Sequence, residues 1–148
     1  MGFQFAGVFA QAQPEVLTAA LRTWPGCHGR LITEPFHGLG IAVPSYALTY
    51  GNSEEEQKQA WELAYELEDG LVGWSQQYPE TVFVFLNADC FGGQCLYAGY
   101  VCQNGMVLER VQDMDERDGI ALPRLVRALG VELDDSRYFA PLTRGFFD

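Results

Sequence analysis

Thr81-Val-Phe-Val-Phe-Leu86 decides how this chain is read, together with the segments directly after it: Asn87-Ala-Asp-Cys-Phe-Gly-Gly93, Gln94 to Gln103, Asn104-Gly105, and Met106 to Gln112. The first run is rich in β-branched and aromatic side chains and lacks the polar alternation of a half-exposed strand. It predicts a strand buried on both faces and therefore central in its sheet. The segment from Asn87 to Gly93 is expected to break that strand, since Gly92 and Gly93 admit backbone conformations that other residues avoid. Asn104-Gly105 between two strand-like runs is a hairpin signal, because a type I′ turn needs positive φ at both central residues. The stretch as a whole predicts an antiparallel meander.

Upstream, Phe3 to Ala10 reads as a strand. Pro14 and Glu15 open a helix with Val16, Leu17, Ala20, Leu21 and Trp24 on its apolar face, and Pro25-Gly26 ends it. Arg30 to Glu34 and Leu39 to Val43 read as short strands around Pro35 and Gly38, with Ala47 to Tyr50 extending a strand edge. Ser53-Glu-Glu-Glu56 is a capping box that starts the longest helix. Ala60, Leu63, Ala64, Leu67, Leu71 and Trp74 form its buried stripe, and Gly70 and Gly73 predict a kink or an early end near Gly70. Downstream, Asp113 to Gly119 reads as a polar loop and Ile120 to Leu129 as a third helix with Gly130 just past its end. Tyr138 to Leu142 and Phe146-Phe147 are too apolar to be free and are expected to dock on the body.

The order β-α-β-β-α-β-β-β-α opens with the pattern of ferredoxin-like folds. The expected fold is α+β, one domain over residues 1–148. It has an antiparallel or mixed sheet with a ferredoxin-like β-α-β-β-α-β core, plus a C-terminal β-hairpin and helix, and helices mostly on one face.

A hydrophobic content of 48% excludes disorder as the dominant state. Twenty acidic residues against nine basic ones give a formal charge of −11. That balance opposes nucleic acid and anionic membranes as partners and favours a basic partner or simple solubility. No stretch approaches the roughly 18 apolar residues of a membrane span. Met1-Gly-Phe-Gln-Phe5 lacks the positive charge of a secretory signal, so the cytoplasm is expected, with Cys27, Cys90, Cys95 and Cys102 reduced.

No motif names a reaction. Cys27, His28, His37 and the Cys90-x4-Cys95 spacing fit zinc patterns only loosely, and no metal or cofactor is expected. Cys90, beside Gly92-Gly93, could serve as a nucleophile with His28 or His37 as its base, which makes a small cysteine-dependent enzyme one alternative. Asp113-x-Asp115-x-x-Asp118-Gly119 has the composition of a calcium loop, but Arg117 occupies the fifth position and the glycine comes one residue late. A solvated turn is the expectation there.

The long helix carries the more informative pattern. Glu54, Glu55 and Glu56 suit its positive end, but Glu66, Glu68 and Asp69 crowd toward the negative one, and Glu62 and Glu66 are like charges four residues apart. A local cost without local compensation points to a binding surface. Glu62, Glu66 and Asp69 share one helix face; with them, Tyr65 on the flank of the same helix and Asp89 and Phe91 near the Gly-Gly turn are the candidate partner-binding residues, and whether the two groups lie on one side depends on the strand order.

Ala88-Asp-Cys-Phe-Gly-Gly93, followed by a strand and Asn104-Gly105, resembles a pattern in small bacterial immunity proteins encoded beside polymorphic toxins. The resemblance covers about 25 residues and implies a protein that binds and neutralises a cognate toxin. It assigns no binding residues. A small-ligand-binding or structural domain is the third open reading, since such sheets serve many functions.

Overall fold

The computed structural model describes residues 3–44, 53–114, 119–134, 138–143 and 145–147. Its six strands are Phe3–Ala10 (β1), His28–Ile32 (β2), Gly38–Ala42 (β3), Phe83–Phe91 (β4), Gln94–Gln103 (β5) and Met106–Gln112 (β6). They form one sheet in the order β2-β3-β1-β4-β5-β6, every neighbouring pair antiparallel. Among the described residues three helices accompany it: Pro14–Thr23 (α1), Glu54–Trp74 (α2) and Ala121–Arg127 (α3). The fold is α+β.

β1 and β4 are the two middle strands, in register from Phe3 opposite Cys90 to Ala10 opposite Phe83. From Phe5 to Ala10 and from Phe83 to Leu86 they are buried on both sides, which is why those runs do not alternate with polar residues. Ala6, Val8, Ala10, Phe83 and Phe85 face α1 and α2, meeting Val16, Ala20, Trp24, Ala60, Ala64, Leu67, Leu71 and Trp74. Phe5, Phe9, Val84, Leu86 and Ala88 face the other way, onto α3 and the C-terminal tail. Thus α1 and α2 share one face, and α3 lies on the opposite one. The tail docks through aromatic contacts, with Phe139 against Phe9 at 5.4 Å between ring centres and stacked on Phe36 at 6.3 Å.

Three expectations are corrected. β4 does not break at Asn87 but continues to Phe91, because residues 87 to 90 are paired on both sides, to β1 and to β5. Only Gly92 and Gly93 make the turn, at φ 62° and 81°. α2 does not stop at Gly70 but runs on to Trp74. The missing side chain at Gly70 lets the Trp24 indole close on the helix, at 3.3 Å from where a Cβ would sit. Trp24 in turn packs against Trp74 at 5.3 Å, so the contact that Gly70 permits helps hold the second half of α2. Finally, Asp113 is not part of a solvated turn: it is 3% exposed. Its carboxylate accepts hydrogen bonds from the amides of Tyr97, Ile120 and Ala121, at 3.0–3.1 Å. It therefore joins the end of β6 to the start of α3. Ala47 to Tyr50 and Asp115 to Asp118 lie outside the described residues.

Candidate functional site

α2 begins as its capping box requires: the Ser53 hydroxyl accepts from the Glu56 amide at 3.2 Å. Ala60, Ala64, Leu67, Leu71 and Trp74 are buried, and this fixes the orientation of every other position by helical spacing. One flank lies against the segment that follows α1, where Leu63 meets Gly26 and Gly70 meets Trp24. The opposite flank carries Trp61, Tyr65, Glu68 and Val72 and borders the β5–β6 side of the sheet. There the Tyr100 hydroxyl donates to the Glu68 carbonyl at 2.6 Å. Between the flanks, Glu62, Glu66 and Asp69 form an exposed acidic ridge. Tyr65 is 55% exposed and its ring lies 5.9 Å from that of Trp61.

On the sheet, alternation along β4 puts Phe83, Phe85, Asn87, Asp89 and Phe91 on the α2 side. Cover declines along that row: Phe83 and Phe85 are buried, Asn87 is half-buried, and Asp89 and Phe91 are exposed. Leu96 stands opposite Asp89 and is also exposed. All six candidate partner-binding residues, Glu62, Tyr65, Glu66, Asp69, Asp89 and Phe91, thus lie on one side of the molecule. They fall in two groups, the first four on α2 and the other two at the β4–β5 tip.

Between the helix flank and the floor of the sheet is a recess of about 180 Å³. Glu68, Asn87, Arg110 and Gln112 are its polar lining. Arg110 reaches it through an irregularity. Cys102 pairs with Val107 but Val101 pairs with Glu109, so Leu108 is an extra residue in β6. Val107 shares the α2 side with Cys102, and strict alternation would then turn Arg110 to the far face. The bulge resets the phase, and Arg110 opposes Tyr100 on the α2 side. Its guanidinium lies over the Tyr100 ring, 5.0 Å from the centre. Burial pushes the Tyr100 hydroxyl above its ordinary range, Cys102 and Glu68 add to that, and Arg110 opposes it. Nothing in sequence periodicity pointed to Arg110, because the signal is a break in periodicity.

Of the other candidates, Cys90 is not a free thiol. It pairs with Cys95 across the β4–β5 hairpin, Cα atoms 4.0 Å apart, in a disulfide. This corrects the expectation of four reduced cysteines: continuing β4 through residue 90 brings the two side chains opposite each other. Cys27 and Cys102 are free and buried. Burial, then the charge of Glu66, pushes the Cys27 thiol up to about 12. Burial raises Cys102 to about 11, against a lowering hydrogen bond to Ser75. Neither is poised as a thiolate.

His28 does not serve Cys90 either. Its rung runs through Ala42 and Gly7 to Leu86. Cys90 is thus three strands away and four residues along, roughly 20 Å at ordinary strand spacings. Among the described residues no three His, Cys, Asp or Glu side chains gather as a metal site, and no helix is long and apolar enough to cross a membrane.

Comparison with models of protein families, with curated proteins and with solved structures finds no match for this chain.

Proposed function

We propose that this chain is an interaction protein of the immunity type, which binds and neutralises a cognate bacterial toxin. The observation that carries the reading is a juxtaposition. An acidic ridge, Glu62, Glu66 and Asp69, with no ion pair among the described residues, lies on the same side of the molecule as the exposed aromatics Trp61, Tyr65 and Phe91. Charge steers a basic partner into place, and aromatic anchors usually supply the affinity. Asp89 lies on the tip beside Phe91 and extends the acidic surface.

Within this reading the first six elements are a ferredoxin-like β-α-β-β-α-β core, to which β5, β6 and α3 are added. The strand order β2-β3-β1-β4, with α1 and α2 on one face, supports it. The compartment we propose is the cytoplasm, where an incoming toxin would act. The Cys90–Cys95 disulfide weighs toward an oxidising one.

The test is to read the open reading frames beside this gene and to coexpress the chain with any toxin encoded there, in a cell that the toxin kills. Survival, with recovery of a one-to-one complex, supports the reading. Death at equal expression, with no complex, sinks it.

A further inference from the structure

The recess lined by Glu68, Asn87, Arg110 and Gln112 has properties that the acidic ridge does not explain. Arg110 is a cation placed by a bulge in a chain of net charge −11. Other arginines have partners: Arg124 stands 3.0 Å from Glu109, Arg127 3.8 Å from Glu132, and Arg30 donates to the Phe146 carbonyl. Arg110 lies on the Tyr100 ring and makes no ion pair among the described residues. Stacking orients the guanidinium plane and leaves its edge donors for a second group. A planar fork held in this way suits a carboxylate, bound through two parallel hydrogen bonds. The side-chain amides of Gln112, two residues along β6, and of Asn87, on β4, offer further donors.

The volume suits the end of one side chain, since drug-sized ligands occupy about 300–1,000 Å³. Trp61 and Tyr65 precede Glu68 on the same flank of α2, and Leu96 is two residues from Ala98 on the same face of β5, so exposed aromatic and apolar side chains follow the recess on both elements. Glu68 sets the second condition. A carboxylate entering beside it is repelled unless a positive charge comes too, and the ridge of Glu62, Glu66 and Asp69 favours the same charge.

We propose that this recess is an anchoring socket for an Asp or Glu side chain of a protein partner, bound by Arg110, with a Lys or Arg of the same segment meeting Glu68. The inference rests on the proposed function for the class of partner, and its test does not require the toxin. Short random peptides displayed on phage are panned against the wild-type chain. Enriched peptides should carry an acidic residue beside a basic one. Synthesised singly, they should lose about tenfold or more in affinity on Arg110→Gln. Arg110→Lys, which keeps the charge but not the fork, should restore only part. Glu68→Gln should relax the demand for the basic residue, and Arg22→Gln, on α1, should change nothing. An unchanged urea midpoint for Arg110→Gln separates lost binding from lost fold.

The socket is refuted if no peptide is enriched, if enriched peptides lack a carboxylate, or if they bind Arg110→Gln as tightly as wild type. A toxin that binds Arg110→Gln undiminished would likewise refute the socket while leaving the immunity reading intact. A socket selective for acidic peptides, in a chain that protects against no toxin, would do the reverse.

Discussion

Tyr97 and Asp113 hold each other twice: the Asp113 amide donates to the Tyr97 carbonyl at 2.9 Å, and the Tyr97 amide donates to the Asp113 carboxylate at 3.1 Å. The other carboxylate oxygen accepts from Ile120 and Ala121 at the start of α3. One buried acid thus ends β6 and orients the helix that covers the far face. Asp113→Ala strands three amides and should cost about 2–4 kcal/mol, since a hydrogen bond to a charged group contributes roughly 1.5–3 kcal/mol. Asp113→Asn keeps an acceptor for α3 but turns an NH₂ toward the Tyr97 amide, so a cost between those of wild type and Ala is expected. Urea midpoints measure both. A loss under about 0.5 kcal/mol for Ala would show that the junction is held by other contacts.

Phe85 and Tyr100 stack at 5.4 Å beneath α2, both nearly inaccessible. Phe85→Ala removes a buried ring from the core beneath α2 and should cost about 3–5 kcal/mol. Tyr100→Phe keeps the ring but removes the second hydrogen bond that the Glu68 carbonyl accepts beyond its helical one, for about 1 kcal/mol. Chemical denaturation distinguishes the two. Equal losses would mean that the hydroxyl matters more to the helix–sheet joint than its geometry indicates.

Cys90 and Cys95 close a six-residue ring at the β4–β5 tip. Thiol titration in denaturant without reductant should therefore find two thiols, Cys27 and Cys102, and with reductant four. A loop this short gives a chain-entropy contribution of about 2 kcal/mol. Replacing both cysteines by Ala should lower stability by no more than that, with faster amide exchange confined to residues near Gly92-Gly93. Exchange spreading into β1 would show that the bridge supports the centre of the sheet.

Much of this architecture was legible because it follows from local chemistry. Ser53 caps α2, Asn104-Gly105 turns β5 into β6, and the apolar run from Val82 to Leu86 marks a middle strand. What was not legible depends on partners distant in sequence. β4 continues past Asn87 only because Phe3 to Ala6 pair with residues 87 to 90, and that pairing is what sets Cys90 opposite Cys95. Gly70 looks like a helix breaker until Trp24 is seen to fill the space beside it. Asp113 looks like a loop acid until Tyr97 and Ala121 converge on it. The same division applies to the candidate site. Helical spacing groups Glu62, Glu66 and Asp69, and strand alternation groups Asp89 with Phe91. Arg110 joins them only through the bulge at Leu108.

The buried thiols predict a one-sided pH dependence. Cys27 and Cys102 have folded-state values raised to about 12 and about 11, against 9.0 for an ordinary thiol. Their favourable neutral state is fully retained below pH 9. Above it the unfolded chain loses protons that the folded chain keeps, so stability falls as pH rises toward 11 and 12. Urea midpoints should be level from neutral pH to about 8.5 and then decline. Cys27→Ala should flatten part of that decline; an identical decline in this variant would assign the alkaline loss to Tyr100 and Cys102 instead.

The acidic ridge gives the prediction closest to function. Glu62, Glu66 and Asp69 are exposed on one face of α2, and the structure gives none of them an ion pair among the described residues. Reversing all three to Lys should change stability by less than about 1 kcal/mol, because exposed charges contribute little and cations suit the second half of a helix. One internal effect is expected: Glu66 helps raise the Cys27 thiol, so Lys at that position should lower it and speed its slow alkylation at high pH. That readout confirms that the reversed charges are in place even where no partner is present. With a basic toxin, association should slow by about tenfold or more at low ionic strength and by less at high salt, since steering is screened over about 10 Å at 0.1 M. Dissociation should change less, because the aromatic anchors and any carboxylate held by Arg110 are untouched. Stopped-flow association across a salt series measures this directly. An association rate that matches wild type at every ionic strength would remove the ridge from the recognition surface, leaving the recess and the Phe91 tip as the sites for the partner to meet.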